Sequence, residues 1–174
     1  LSKNVVAAGE VGGKSAQFSF DAVAYPYSVF YPADLYTTSG TVRFYSEQAL
    51  STAGVDRTSL AMAGYSNTTD VTLYSLCGIV TIPITNNYEG EDITVEKIVV
   101  KSAMGDALCG KYHINYRTGK LAPVATKSEM TLTPTAESPV VIGVGETLNI
   151  QFAVPAGFIN NGLLLDITSS VGFK

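Results

Sequence analysis

TLYSLCGIVTIPIT, spanning Thr72 to Thr85, reads in steps of two. Leu76, Val80, Ile82 and Ile84 fall on one side of an extended chain, and Ser75, Cys77, Ile79 and Thr81 fall on the other. Both sides are partly apolar, so this strand is expected to be central in its sheet. Pro83 lacks an N–H and is expected near a bulge or an edge.

The same period of two runs outward in both directions. In LNIQFAVP, Leu148, Ile150, Phe152 and Val154 oppose Asn149, Gln151 and Ala153. In LLLDITSSV, Leu163, Leu165, Ile167 and Val171 oppose Asp166, Thr168 and Ser170. Tyr112, Ile114 and Tyr116 oppose His113, Asn115 and Arg117, and Met130 and Leu132 alternate with threonines. Further strands are expected at Ser15–Ala24, Ser28–Tyr31, Gly40–Ser46 and Asp92–Ser102. One apolar and one polar face per strand is the signature of antiparallel sheets covered on one side. Turn chemistry separates the runs: Asn160-Asn161-Gly162, the Gly/Asp-rich Asn86–Asp92 and Met104–Gly110, and Arg117–Lys120. Only Glu47–Ala53 offers a short helical piece. The expected fold is all-β, an antiparallel β-sandwich. Five polar residues, Ser66–Asp70, mark an expected boundary between a partial N-terminal β lobe or extension (1–68) and a C-terminal sandwich domain (69–174).

Composition narrows the function classes. Of 174 residues, 15% are charged, against about 25% in an average soluble domain, and the net charge is −4. No basic stripe runs along the sequence, so nucleic acid is not an expected partner. No apolar run approaches the roughly 18–20 residues that span a bilayer. The chain opens Leu1-Ser2-Lys3, without a charged start or an apolar signal core. It is expected to be a mature protein or a trimmed piece of one, with any export signal or lipid anchor removed.

Residues that carry chemistry are sparse. Cys77 and Cys109 sit in similar settings, LCGIV and LCGKY, without a C-x-x-C motif. They fit either a disulfide closing a loop of about 30 residues or two small buried hydrophobes. His113 is the one histidine. It falls on the polar side of its strand, which points it to solvent. A catalytic set built on Ser, Cys and His would have to use it, and Cys109 is the only nearby thiol. Glu89, Glu91 and Asp92 form an acidic loop that lacks calcium-loop spacing. Gly143–Thr147 lacks the lysine of a phosphate loop. Tyr25, Tyr27, Tyr36 and Tyr45 cluster early and fit either strand-pairing contacts or a stacking surface for sugar or protein. No catalytic, cofactor or metal site is expected, and the chain does not read as an enzyme.

The motifs also follow a familiar order. VFYPA (Val29–Ala33), TSLAMAGYS (Thr58–Ser66), TLYSLCGIVTIPI, ITVEKIVVKS (Ile93–Ser102), LCGKYHINY (Leu108–Tyr116) and FAVPAGFINNGLLLDITSS (Phe152–Ser170) together resemble the fimbrillin-like proteins of Bacteroidetes. These are the FimA/Mfa-type pilin and fimbrial lipoprotein families. The resemblance implies a transthyretin-like, Greek-key sandwich exported as a lipoprotein to the outer-membrane surface. It implies partners that are other fimbrial or surface subunits joined by strand addition, or a host protein or glycan. It also implies membrane attachment only through a removed N-terminal lipid anchor.

Overall fold

The computed structural model describes residues 24–37 and 40–173. Among them the strands are β1 (Tyr27–Tyr31), β2 (Thr41–Phe44), β3 (Glu47–Leu50), β4 (Met62–Ser66), β5 (Tyr74–Ser75), β6 (Cys77–Thr85), β7 (Ile93–Ser102), β8 (Cys109–Asn115), β9 (Lys120–Lys127), β10 (Glu129–Pro134), β11 (Val140–Ile142), β12 (Thr147–Pro155), β13 (Leu163–Ser169) and β14 (Gly172–Phe173). Two short 3-10 turns, Ala33–Leu35 and Arg57–Ser59, are the only helical pieces in the described residues.

The protein is all-β and its sheets are mainly antiparallel, as a β-sandwich requires. One sheet runs β14-β13-β7-β10-β3, with β11 also on β7. A second series is β1-β4-β5, and β5 leads through Leu76 into β6, which pairs with β12. A third sheet, β2-β8-β9, joins the first because β9 passes into β10 through Ser128 and β2 passes into β3 through Tyr45 and Ser46. The β3–β10 pair is parallel.

One cluster of buried side chains joins the sheets. Ile150, Phe152 and Val154 of β12, Val95, Ile98 and Val100 of β7, and Met130 and Leu132 of β10 are buried together. Each such side chain contributes about 1.5–3 kcal/mol by leaving water. Tyr112 meets Phe44 edge-on at 5.4 Å and Phe158 at 5.2 Å, and its hydroxyl donates to the Ala107 carbonyl at 3.3 Å. The alternation of β7 breaks at Glu96-Lys97, both exposed. There the register with β13 slips, Lys97 facing Thr168 and Val95 facing Ser169. This is a β-bulge, and it returns Val95 to the core side after the slip.

Two sequence expectations change. Glu47–Ala53 begins with a strand, β3, rather than a helical piece. Gln48 and Leu50 are buried while Glu47 is exposed and Ala49 partly so, a period of two that lays the segment along β10. Thr72–Thr85 is not a central strand: β6 has β12 on one side, and on the other β4 reaches only β5. Pro83 accordingly lies exposed, on an edge. After β4 the chain runs through the exposed residues Asn67–Asp70 toward β5, and strands from before and after this stretch pair, β2 with β8 and β3 with β10. The expected strand Ser15–Ala24 lies outside the described residues except for Ala24.

Candidate functional site

The β6–β12 ribbon is paired from Cys77↔Pro155 to Thr85↔Thr147 without a slip. Antiparallel pairs alternate between residues that exchange hydrogen bonds and residues that turn them outward. The Ala156 N–H donates to Leu76 at 3.0 Å, and the Asn86 N–H donates to Glu146 at 2.9 Å. Even-numbered residues therefore bond across the ribbon, and odd-numbered ones turn their N–H and C=O away.

On β12 the outward groups of Ala153 are taken by the buried Gln48 side chain. On β6 the outward residues are Ile79, Thr81, Pro83 and Thr85. At its head β6 is closed: the Leu76 N–H reaches Ala61 at 2.8 Å, and the Ser75 hydroxyl bonds both the Cys77 carbonyl and the Cys77 N–H. From Ile79 onward no described strand lies alongside, and no described backbone group bonds these residues on that side. Ile79 is 53% exposed.

The apolar row on this strand is unevenly covered. Val80, Ile82 and Ile84 are only partly buried, whereas their cross-strand neighbours Ile150 and Phe152 are wholly buried. In the first sheet Leu163, Leu165 and Ile167 of β13 are partly buried too, and among the described residues the outer edge of β13 is paired only at Thr168 and Ser169, by β14. The arrangement can accept an extended segment: free backbone groups on one strand, and apolar side chains that still have surface to cover.

Of the residues singled out in the sequence, Cys77 sits at the closed head of this ribbon and the others lie elsewhere. Cys77 and Cys109 are both free and buried. The Cys77 thiol donates toward the Ala61 carbonyl at 3.8 Å, and the Cys109 thiol donates to the Glu129 carbonyl at 3.2 Å. Burial pushes the Cys109 thiol up, which holds it protonated and weakly nucleophilic. His113 is exposed and four residues along the strand from Cys109, about 13 Å of strand rise. The four tyrosines take part in separate contacts. Tyr25 and Tyr27 lie ring to ring at 4.6 Å, Tyr36 meets Phe30 at 5.6 Å, and Tyr45 lines an open depression over β2, β8 and β9. Burial, then a hydrogen bond with Tyr36, pushes the Tyr116 phenol up.

The acidic loop is organised by a residue that sequence reasoning passed over. Asn86 is buried, and its Nδ2 donates to the carbonyls of Glu91 and Ile142 while its Oδ1 accepts the Tyr88 N–H. The Asp92 carboxylate accepts the Val144 N–H at 3.1 Å. Among the described residues no group of three or more His, Cys, Asp or Glu is placed to hold a metal. No described helix is long and apolar enough to cross a membrane.

The fold and the β6 edge thus define an all-β sandwich with an exposed pairing edge. No family model matches the chain, and neither the curated proteins nor the solved structures give a match.

Proposed function

We propose that this protein is a non-enzymatic cell-surface subunit of a fimbria or a related adhesin, joined to other subunits by β-strand pairing and apolar docking. The observation that carries this reading is the β6 edge from Ile79 to Thr85, unpaired among the described residues, on a strand whose apolar row of Val80, Ile82 and Ile84 is only partly covered. A strand laid along it would gain main-chain bonds to Ile79, Thr81 and Thr85. Its alternate side chains would cover Val80, Ile82 and Ile84, which sets register as well as affinity. The resemblance to fimbrillin-like proteins agrees with this use of an edge, and with a transthyretin-like sandwich exported through a lipid anchor. Main-chain pairing needs no catalytic group, and the buried thiols and exposed histidine have no part in it.

Native mass spectrometry with synthetic peptides from the chain ends of candidate partner subunits tests the reading. The expected result is a one-to-one complex that Thr81→Pro abolishes, because proline removes the central outward N–H of the edge. A complete lack of peptide complexes, or complexes indifferent to Thr81→Pro, overturns it.

A further inference from the structure

We propose that the outward face of β2, β8 and β9 binds a sulfated glycan. This goes beyond the strand-edge reading and uses a different part of the molecule. The three strands contain Arg43, Lys111, His113, Lys120 and Lys127 and not one aspartate or glutamate. Four of the chain's eleven lysines and arginines are thus gathered on one sheet of a protein whose net charge is −4.

Register puts them on one side. Arg43 faces Lys111 directly across β2 and β8, Lys111 faces Ala125 across β8 and β9, and Lys127 lies two residues beyond Ala125 on the same side of β9. Paired residues share a face of the sheet. The opposite face of β2 and β8 carries Val42, Phe44 and Tyr112, all buried. Like charges directly opposite each other are unfavourable unless an anion sits between them. The ion pairs among described residues belong to Lys101. Arg117, at the end of the same hairpin, is occupied by stacking on Tyr65 at 4.8 Å and donating to its hydroxyl at 2.8 Å. Arg43, Lys111, Lys120 and Lys127 have no such partner among the described residues.

The surface over these strands is an open depression of about 630 Å³, lined by Arg43, Lys111 and Lys127, with Tyr45, Glu47 and Asp56 among its other walls. The wall chemistry favours a sugar over a nucleic acid. Cations meet sulfate, whereas the exposed carboxylate of Glu47 can accept a hydrogen bond from a sugar hydroxyl, a group that a DNA phosphate backbone lacks. Asp56 has both oxygens engaged, by the Thr58 N–H and hydroxyl on one and by the Ala49 N–H and Ser59 hydroxyl on the other. The aromatic residues that line it are Phe44, which is buried, and Tyr45, which is half-buried, so among the described residues no fully exposed ring is offered there for bases to stack on.

A heparin oligosaccharide and its fully desulfated counterpart, titrated by calorimetry at low and at physiological salt, are the probes. Expected is binding of the sulfated form only, weakening with salt. The Arg43→Gln/Lys127→Gln double variant should weaken it about tenfold or more, and Lys97→Gln on β7 should leave it unchanged. Circular dichroism checks that the exposed substitutions leave the fold intact. Lack of binding, equal binding of the desulfated form, an equal loss in Lys97→Gln, or equal affinity for a single-stranded oligonucleotide each overturns the proposal.

Discussion

The side chain of Gln48 completes the backbone pairing of Ala153. Its Oε1 accepts the Ala153 N–H at 3.0 Å, and its Nε2 donates to the Ala153 carbonyl at 2.7 Å. The primary amide acts as one peptide group of a third strand beside β12, reaching there from β3. Gln48 is 5% exposed, so no water replaces it readily. Gln48→Ala leaves two buried backbone groups without partners, each costing about 1–3 kcal/mol. The expected loss is roughly 2–5 kcal/mol in urea unfolding. Gln48→Glu should cost about as much, because a carboxylate faces the Ala153 carbonyl and is buried as well.

The two edges of β6 respond differently to proline. Thr81 turns its N–H outward, so Thr81→Pro should shift stability by less than about 1 kcal/mol. Ile82 bonds across to Ile150 within the ribbon. Ile82→Pro removes that bond and an apolar side chain, and should cost about 2 kcal/mol or more. Similar losses for the two variants would mean that the alternation assigned to this ribbon is wrong.

Gly110 is required by space as well as by conformation. Its φ is +115°, and a Cβ there would lie 2.3 Å from the Ala125 carbonyl oxygen. Gly119, in the β8–β9 turn, has φ +66° and nothing within 4 Å of the same atom. Gly119→Ala should cost about 1–2 kcal/mol from backbone conformation alone. Gly110→Ala must also push β9 away from β8 and should cost about 3 kcal/mol or more. Thermal unfolding of the two variants side by side separates the terms.

Stability should fall at both extremes of pH, for separate reasons. The Asn160 N–H, donating at 2.9 Å, holds the Asp106 carboxyl below its ordinary value, with help from Asn161 and Ser102 and against partial desolvation. A depressed acid contributes fully above its unfolded value, about 3.9, and loses that contribution as pH falls through the folded value. Lys101 moves the other way: its hydrogen bond to Asp166 at 2.6 Å raises it. That contribution is complete below about 10.4 and is lost as pH rises through the higher folded value. Asp106→Asn should flatten the acid limb of a Tm-versus-pH curve and leave the alkaline limb, and Lys101→Gln should do the reverse.

Hydrophobic alternation made β8, β10, β12 and β13 legible because apolar and polar residues alternate along each, although only β10 buries its apolar row cleanly, while β13 stays half-buried and β12 also buries Ala153 on its other face. β9 left no such mark: among its residues only Leu121 is even partly buried, so its sequence carries no period, and its place is set by β8. β3 was misread because four residues are too few to separate a period of two from one of 3.6 when Gln48 occupies a core position. The open edge depends on which strands stop short beside β6, a property of the whole topology. The cationic face was invisible for a related reason. Arg43, Lys111 and Lys127 are far apart in the chain, so no basic stripe appears until register aligns them.

The unslipped register of β6 on β12 also fixes how the ribbon answers to tension. Traction along β6 reaches β12 in shear, so the rungs from Cys77 to Thr85 are strained together. Peeling the same strands apart from one end would break those rungs in turn, at far lower force. A tether fastened along this strand would therefore meet its strongest resistance in the direction in which β6 runs.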